Sequence, residues 1–133
     1  MEKSYVDGFL LVVPKNKVED YKKMAEGAKK IWLKHGALDY KECMGEDLHP
    51  APPEGMPPEM TPPRSFVEAS GAKPDETVWF SFIVFKSREH RDEVNAKVMK
   101  DMEKEMADQG KKDMPMPFDM GLVFYGGFSA EVE

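Results

Sequence analysis

The sequence predicts an α+β fold, a ferredoxin-like split βαβ sandwich, in a single domain over residues 1–133. An apolar strand, an amphipathic helix and a second strand follow one another twice along the chain. A chain of this length is typical of one domain that buries roughly two-thirds of the surface its unfolded form exposes. Two strand–helix–strand units in a chain of that size favour the split βαβ sandwich.

The first unit opens with a strand over Tyr5–Val13, which carries apolar side chains on both faces. A helix is predicted over Lys17–His35, because apolar residues recur there at the spacing of one helix face. Asn16 is placed to cap this helix, and Gly36 is placed to end it in the left-handed backbone conformation. A strand over Leu38–Met44 completes the unit.

The second unit repeats this order with a strand over Thr77–Phe85, a helix over Arg88–Ala107 and a strand over Gly121–Phe128. The first of these strands again has two apolar faces. The last strand contains Gly126 and Gly127, which indicate a bulge or a close approach by another backbone.

The first and third strands are expected at the centre of the sheet, because strands with two apolar faces are covered on both sides. The two helices can cover only one face. The other face needs a second cover that this short chain does not supply. We therefore expect a homodimer that pairs this face across a two-fold axis.

A Pro-rich segment, at about residues 48–64, connects the second and third strands. Seven of the eleven prolines of the chain fall between His49 and Pro63. Because proline removes amide donors and restricts φ, this segment is predicted to be an extended surface loop. A spacer is the favoured interpretation, and the alternative is a Pro-rich ligand presented to a partner protein.

Composition and charge exclude several partners. A net charge of -6 and a pI near 5.2 argue against nucleic-acid binding, which needs a basic surface. The longest early apolar run, Phe9–Val13, is too short for a membrane span or the core of a signal peptide. The single cysteine, Cys43, fits a reducing compartment. The expected location is therefore the cytoplasm, with no membrane and no nucleic-acid partner.

Several runs of sequence carry a family resemblance: YVDGF at Tyr5–Phe9, HGAL at His35–Leu38, the segment Lys73–Met99, and MPFD with YGGF within Met116–Phe128. Together these runs resemble the YbaA-like family of domains of unknown function, over nearly the whole chain outside the Pro-rich loop. The resemblance implies a dimeric α+β barrel, in which two ferredoxin-like sheets face each other with the helices outside. Such a barrel supplies the second cover of the sheet.

The resemblance implies a fold but no particular activity, so no catalytic residue is carried over. The wider superfamily includes cofactor-independent monooxygenases, haem-degrading enzymes, muconolactone isomerases and plain binding proteins, and function does not follow from that fold. The expected function is small-molecule binding in a pocket between sheet and helices, with an oxygenase-like or isomerase-like enzyme as one form. The alternatives are a non-catalytic ligand sensor and a protein-interaction module that presents the Pro-rich loop.

Two titratable residues are the catalytic candidates, because both stand among apolar neighbours. His35 lies at the last turn of its helix beside Trp32, where it is either a functional group or, as we favour, a structural histidine donating to a backbone carbonyl. Asp7 interrupts an apolar strand face, where an unpaired charge costs several kcal/mol. Its expected partners are His35, Arg88 or Arg91, unless it lies in water.

Aromatic side chains are candidates for the lining of a pocket for a flat ligand, although such rings more often build the core and the dimer interface. They are Tyr5, Trp32, Tyr40, Trp79 and Tyr125. Glu42 shares the strand face of Tyr40, but an edge strand favours a solvated carboxylate. The eleven methionines favour flexible packing over a copper site. No metal and no cofactor is expected, and Cys43 is expected to be a buried, inert thiol.

Overall fold

The computed structural model describes residues 3–49, 54–57, 59–109 and 116–133. Within these ranges it contains four strands, β1 (Tyr5–Pro14), β2 (Asp39–Met44), β3 (Glu76–Phe85) and β4 (Val123–Ser129). It also contains three α-helices, α1 (Val18–Lys34), α2 (Phe66–Ser70) and α3 (Arg88–Gln109). Short 3₁₀ turns precede α1 and β4. The chain is an α+β protein, as its sequence predicts.

The four strands form one antiparallel sheet in the order β2-β3-β1-β4. β1 pairs with β3 along its whole length, from Tyr5 opposite Phe85 to Pro14 opposite Glu76. β4 borders β1, and β2 borders β3 at the other edge. The prediction that the first and third strands are central is therefore confirmed.

The main core lies on one face of the sheet, which we call the helix face. Residues of α1 and α3 pack there against side chains of β1, β2 and β3. The buried members include Tyr40, Ile83, Phe85, Val94 and Val98. A second cluster packs the start of α1 against the end of β1 and the neighbouring start of β3. Its buried members are Leu11, Val13, Tyr21, Ala25 and Trp79. The two long helices thus cover a single face, as expected.

α2 is a helix that the strand and helix patterns of the sequence did not predict. The Ser65 hydroxyl accepts a hydrogen bond from the Val67 amide at 3.0 Å, and Gly71 ends the helix with a φ of 73°. Serine followed three residues later by Glu68 is the pattern of a capping box. This signal was present in the sequence, but it follows directly on the Pro-rich segment and serves only five residues.

The opposite face of the sheet, which we call the outer face, is only partly covered. α2 contacts β1 and β3 there, with the Phe66 ring 6.4 Å from the Phe80 ring. Phe80, Phe124 and Phe128 remain exposed by 50%, 53% and 61%. The expectation that the chain supplies no cover for this face is therefore corrected, because α2 covers part of it and leaves the phenylalanine rings open.

Local details of the termini and strands also differ from the predictions. Asn16 lies inside the 3₁₀ turn, and no side chain within the described ranges caps the start of α1. Gly36 does end that helix with a positive φ of 112°. β4 pairs with β1 without a bulge, and Gly127 leaves room for the Tyr5 ring rather than for a backbone. Cys43, expected to be buried, is exposed.

α3 is the longest helix in the described part of the chain, with 22 residues, and charged residues occupy much of its surface. None of the described helices combines the length and the hydropathy needed to cross a membrane. The first turn of α3 is capped by Ser87, whose hydroxyl accepts a hydrogen bond from the His90 amide at 3.1 Å.

The Pro-rich loop lies in part outside the described residues, at positions 50–53 and 58. Positions 54–57 and 59–64 contain no helix and no strand, as predicted. The loop is closed at its base, where the Ser65 hydroxyl donates to the carbonyl oxygen of Leu48 at 2.9 Å. This hydrogen bond joins the first residue of the segment to the residue that directly follows it.

We expect the central part of this loop to be dispensable for folding. Replacing residues 51–62 by a short Gly/Ser linker leaves Leu48, Ser65 and α2 in place, and the entropy of loop closure depends only weakly on length. The melting temperature should therefore change by only about a few degrees. Calorimetry of the shortened chain measures this, and loss of expression or of cooperative unfolding would contradict it.

Candidate functional site

A cavity of about 650 Å³ lies between the helix face of the sheet and the two long helices. The sheet supplies its floor, and α1 and α3 supply its sides. The segment before β4 adds further side chains at one end. The lining is mostly apolar and includes Phe9, Leu11, Ala28, Ile31, Trp32, Ile83 and Phe118.

Methionines form much of the wall. Those among the described residues are Met24, Met99, Met102, Met106, Met116 and Met120. Methionine is unbranched, and its polarizable thioether adapts to irregular shapes. Flexible packing by the methionines stays a prediction, and the structure places these six in the wall of one cavity. Such a wall can adjust to ligands of different shape.

Glu42 is the polar centre of this cavity. It points from β2 to the helix face and lies opposite Ser81 of β3 in the sheet. Its carboxylate accepts hydrogen bonds from the hydroxyls of Tyr21 at 2.7 Å and Tyr40 at 3.0 Å, and from the Ser81 hydroxyl. Glu42, predicted to be solvated, is half-buried at this edge strand, where α1 and β3 bring hydroxyl donors to it.

The packing around Glu42 holds these donors in place. Tyr21, Tyr40 and Ser81 are all buried, with exposures of 4%, 8% and 3%. The Tyr21 ring packs edge-on against the rings of Trp79 at 4.9 Å and Phe118 at 5.6 Å. The aromatic core therefore holds the Tyr21 ring, and with it the Tyr21 hydroxyl, in place.

Burial is the main cause that raises the pKa of Tyr21 and of Tyr40 well above the ordinary value of 10.0 for a phenol. The neighbouring carboxylate of Glu42 adds to the effect on both. A negative charge opposes the formation of a second one, and a hydrogen bond donated to that charge needs the phenol proton. Both tyrosines are thus held as neutral hydrogen-bond donors.

We expect the raised pKa values to make the protein less stable at high pH. Because the folded-state pKa of each phenol is raised, the unfolded chain releases these protons first as the pH rises above about 10. The free energy of unfolding should therefore fall from that pH upward. Denaturant unfolding measured across this range tests the sign.

Spectroscopic titration gives an independent reading of the same effect. The tyrosinate absorbance of the folded protein should appear at higher pH than that of the chain in denaturant. Glu42→Gln removes the neighbouring charge, so its tyrosinate absorbance should appear at lower pH than in the wild-type protein. Superimposable curves for the folded and unfolded chain would contradict the raised pKa values.

Of the aromatic candidates, Trp32 and Tyr40 line the cavity, with ring centres 6.1 Å apart. The indole N–H of Trp32 donates to the side-chain oxygen of Asn95 on α3 at 3.0 Å. This hydrogen bond orients the indole and joins the two helices. Both residues were candidates for the lining from the sequence, and the geometry brings their rings together in one wall, where the Tyr40 hydroxyl donates to Glu42.

The other aromatic candidates lie elsewhere. Trp79 is buried in the core beside Tyr21, and its indole N–H donates to the Thr77 hydroxyl at 2.9 Å. Tyr125 stacks on Phe9 at 4.9 Å, near the exposed edge of β4. Tyr5 packs under the Arg91 guanidinium, 5.0 Å from the ring centre. These three residues are not part of the lining described above.

His35, at the end of α1, forms a side-chain contact with α3. Its Nε2 lies 2.7 Å from a carboxylate oxygen of Asp101 on α3, which also accepts a hydrogen bond from Lys34 at 3.1 Å. The bonds from His35 and then from Lys34 lower the pKa of Asp101. The expected side-chain bond from His35 to a backbone carbonyl is replaced by this carboxylate contact, and His35 does not line the cavity.

Asp7 is buried, with only 1% of its surface exposed. Arg91 donates to its carboxylate at 2.8 Å and to the Tyr125 hydroxyl at 2.8 Å. One of the three partners predicted for Asp7 is therefore found. The structure gives Asp7 and His35 different partners, so the proposed His35–Asp7 pair is not formed, and Asp7 does not line the cavity.

A shallower groove of about 530 Å³ lies on the other side of Glu42, between α1 and β2. Lys22, Lys29 and Lys41 border it, but in the described ranges no lysine or arginine forms an ion pair with Glu42. Lys22 pairs with Glu19 at 3.5 Å and Lys41 with Asp39 at 3.1 Å. Nor do residues 3–49, 54–57, 59–109 and 116–133 contain a group of three or more His, Cys, Asp or Glu arranged to hold a metal ion.

Most of the chain is similar to one family of proteins. A family model described as "Protein of unknown function (DUF1428)" matches residues 4–120. "Uncharacterized protein YbaA" of Escherichia coli (strain K12) is 36% identical over 129 residues, which cover 97% of each chain. The protein of the same description from Shigella flexneri matches with the same identity and coverage.

Proposed function

The chain belongs to the DUF1428 family, and from its cavity we propose that it binds a small apolar molecule between the sheet and helices α1 and α3. One observation carries the proposal. The carboxylate of Glu42 is held by three hydroxyl donors at the wall of an apolar cavity of about 650 Å³. Ligand sites typically have this size and few, well-placed polar groups.

A packing defect is a poor explanation for this cavity. Protein interiors are packed as densely as organic crystals and contain few voids larger than a water molecule. The main core beside the cavity follows that rule, with Phe85 and Val98 fully buried. The space is an apolar cleft with exposed methionines such as Met99 and Met106 in its wall, and its position beside so well packed a core supports a ligand as its occupant.

The isomerase-like enzyme is the second candidate, because Glu42 is a carboxylate beside two phenol hydroxyls. Such a group can take a proton from a bound ligand and return it at another atom. If the protein catalyses this step, ligand recovered from heavy water should carry deuterium at exchangeable carbon positions. Glu42→Gln should abolish the exchange while leaving ligand binding measurable.

We further propose that the protein is a homodimer of ferredoxin-like subunits joined through their outer faces. The strand order and the placement of α1 and α3 on one face support the subunit fold. The exposed rings of Phe80, Phe124 and Phe128 support the pairing, since an apolar patch of this kind marks an interface. A cytoplasmic location is part of the proposal and depends on the single Cys43.

Binding of a neutral solvatochromic dye, Nile red, tests the function directly. The dye should bind the wild-type protein saturably, with a blue-shifted emission. Ala28→Phe places a large ring at the cavity wall and should weaken binding by about ten-fold or more. Ala96→Phe adds the same ring on the exposed surface of α3 and should leave binding unchanged. Equal affinity in both variants would overturn the proposal.

Native mass spectrometry of protein purified from its own host tests for a natural occupant. A retained small molecule should add a discrete mass that is lost in the Ala28→Phe variant and kept in the Ala96→Phe variant. A mass that survives in both variants would place the ligand outside the cavity.

A further inference from the structure

The polar wall of the cavity presents hydrogen-bond acceptors to a ligand. A carboxylate offers about four lone-pair positions, and three of them here accept bonds from Tyr21, Tyr40 and Ser81. One acceptor position of Glu42 therefore remains for a ligand. The three hydroxyls have used their protons on Glu42, so they too can offer a ligand only lone pairs.

The other polar donor of the wall is also occupied. The indole N–H of Trp32 donates to Asn95 at 3.0 Å. A ligand that carries only acceptors, such as a carboxylate or a phosphate, thus meets no free side-chain donor among the residues discussed. A ligand that brings its own N–H groups finds an acceptor.

The charges that line the cavity also favour a ligand that donates hydrogen bonds. In the part of the chain that the structure describes, the charged side chains that line it are Glu42 and Glu105, both acidic. No Lys, Arg or His in those ranges belongs to the lining. An anionic ligand would be repelled and would lose its hydration without compensation, whereas a cation would gain a charge-assisted hydrogen bond.

The aromatic walls add a second attraction for a cation. Trp32, Tyr40 and Phe9 all line the cavity. Ring faces attract an ammonium group, most strongly when both are removed from water. The apolar remainder of the cavity, including its methionines, suits a hydrocarbon portion. An acidic centre, aromatic rings and an apolar chamber together describe a site for an amphiphilic amine.

We propose that the ligand is an organic cation, a lipophilic amine whose ammonium group donates to the free acceptor position of Glu42 while its apolar part fills the cavity. This inference rests on the proposed binding function and specifies the chemical class of ligand.

A matched series of ligands tests the cationic ligand class separately from the binding function. Decylamine, decanol and decanoate share one apolar chain and differ in the polar group. Each is used below its critical micelle concentration to displace Nile red at neutral pH. Decylamine should compete about ten-fold more tightly than decanol, as expected for a hydrogen bond to a charged group, and decanoate should be the weakest.

The Glu42→Gln variant tests the contact itself. It keeps the size of the side chain but removes the charge, so the advantage of decylamine over decanol should shrink to about three-fold or less. Glu103→Gln changes the net charge equally on the exposed surface of α3 and should keep the full advantage. The ranking of the three ligands by the wild-type protein tests the ligand class even if Glu42→Gln fails to fold.

The failures are distinguishable. If Nile red does not bind saturably, the proposed binding function is wrong. If Nile red binds but decanol or decanoate competes as well as decylamine, the binding function stands and the cationic ligand class is overturned. An advantage of decylamine that Glu42→Gln retains would also overturn the assigned contact with Glu42.

Discussion

Replacing Arg91 by methionine should lower the free energy of unfolding by about 3 kcal/mol, because it leaves the buried carboxylate of Asp7 without its charged partner. The Asp7 side chain is only 2% exposed, and Arg91 donates to it at 2.8 Å. The same guanidinium also bonds the Tyr125 hydroxyl and lies over the Tyr5 ring, so its loss affects the pairing of β1 with β4. The melting temperature should fall by roughly 10 °C.

Two variants control for other effects of the Arg91 substitution. Arg88→Met removes an exposed arginine one turn earlier in α3 and should change the stability little. Adding Asp7→Asn to Arg91→Met removes the uncompensated charge and should recover part of the lost stability. Denaturant unfolding of all three variants measures these differences. Equal stability of the Arg88→Met and Arg91→Met proteins would show that the ion pair contributes nothing.

Replacing Phe124 by glutamate should convert the proposed dimer into a monomer. Phe124 is 53% exposed on the outer face of β4, and a two-fold interface would contain it twice. Each copy would lose the burial of a phenyl ring and gain a buried charge. The dissociation constant should therefore rise by about a hundred-fold or more. Sedimentation velocity at micromolar concentration measures the change.

The matched control is Leu33→Glu, which puts the same charge at a leucine that is 39% exposed on α1, away from the outer face. This variant should remain dimeric. A wild-type protein that sediments as a monomer at the same concentration would refute the dimer. A Phe124→Glu dimer as tight as the wild type would show that the copies meet through a different surface.

The fold could be predicted largely from local patterns. Strands with two apolar faces identified β1 and β3 as the central pair, because the pattern depends only on the alternation of neighbouring side chains. The same alternation identified Asp7 as a charge that needs a partner. It left three partners open, since residues 84 positions apart, such as Asp7 and Arg91, are brought together only by the folded chain.

The site was less predictable because its polar centre looks ordinary in the sequence. Glu42 is one of many acidic residues in the chain, and its position on an edge strand favours water. One signal was present, since the strand alternation puts Tyr40 and Glu42 on a common face and Ser81 interrupts an apolar strand. That signal identifies which residues share a face, but it does not show that a helix covers them.

The sequence by itself determined the α+β class, the central strands and the two long helices. These properties follow from side-chain periodicity and chain length. Only the tertiary structure decided that His35 bonds Asp101 and that three hydroxyls donate to Glu42. The donors Tyr21 and Ser81 stand 21 and 39 positions from Glu42, and a hydrogen bond depends on distances of a few ångströms. Such distances are set by how α1 packs across β2 and β3, which no local pattern encodes.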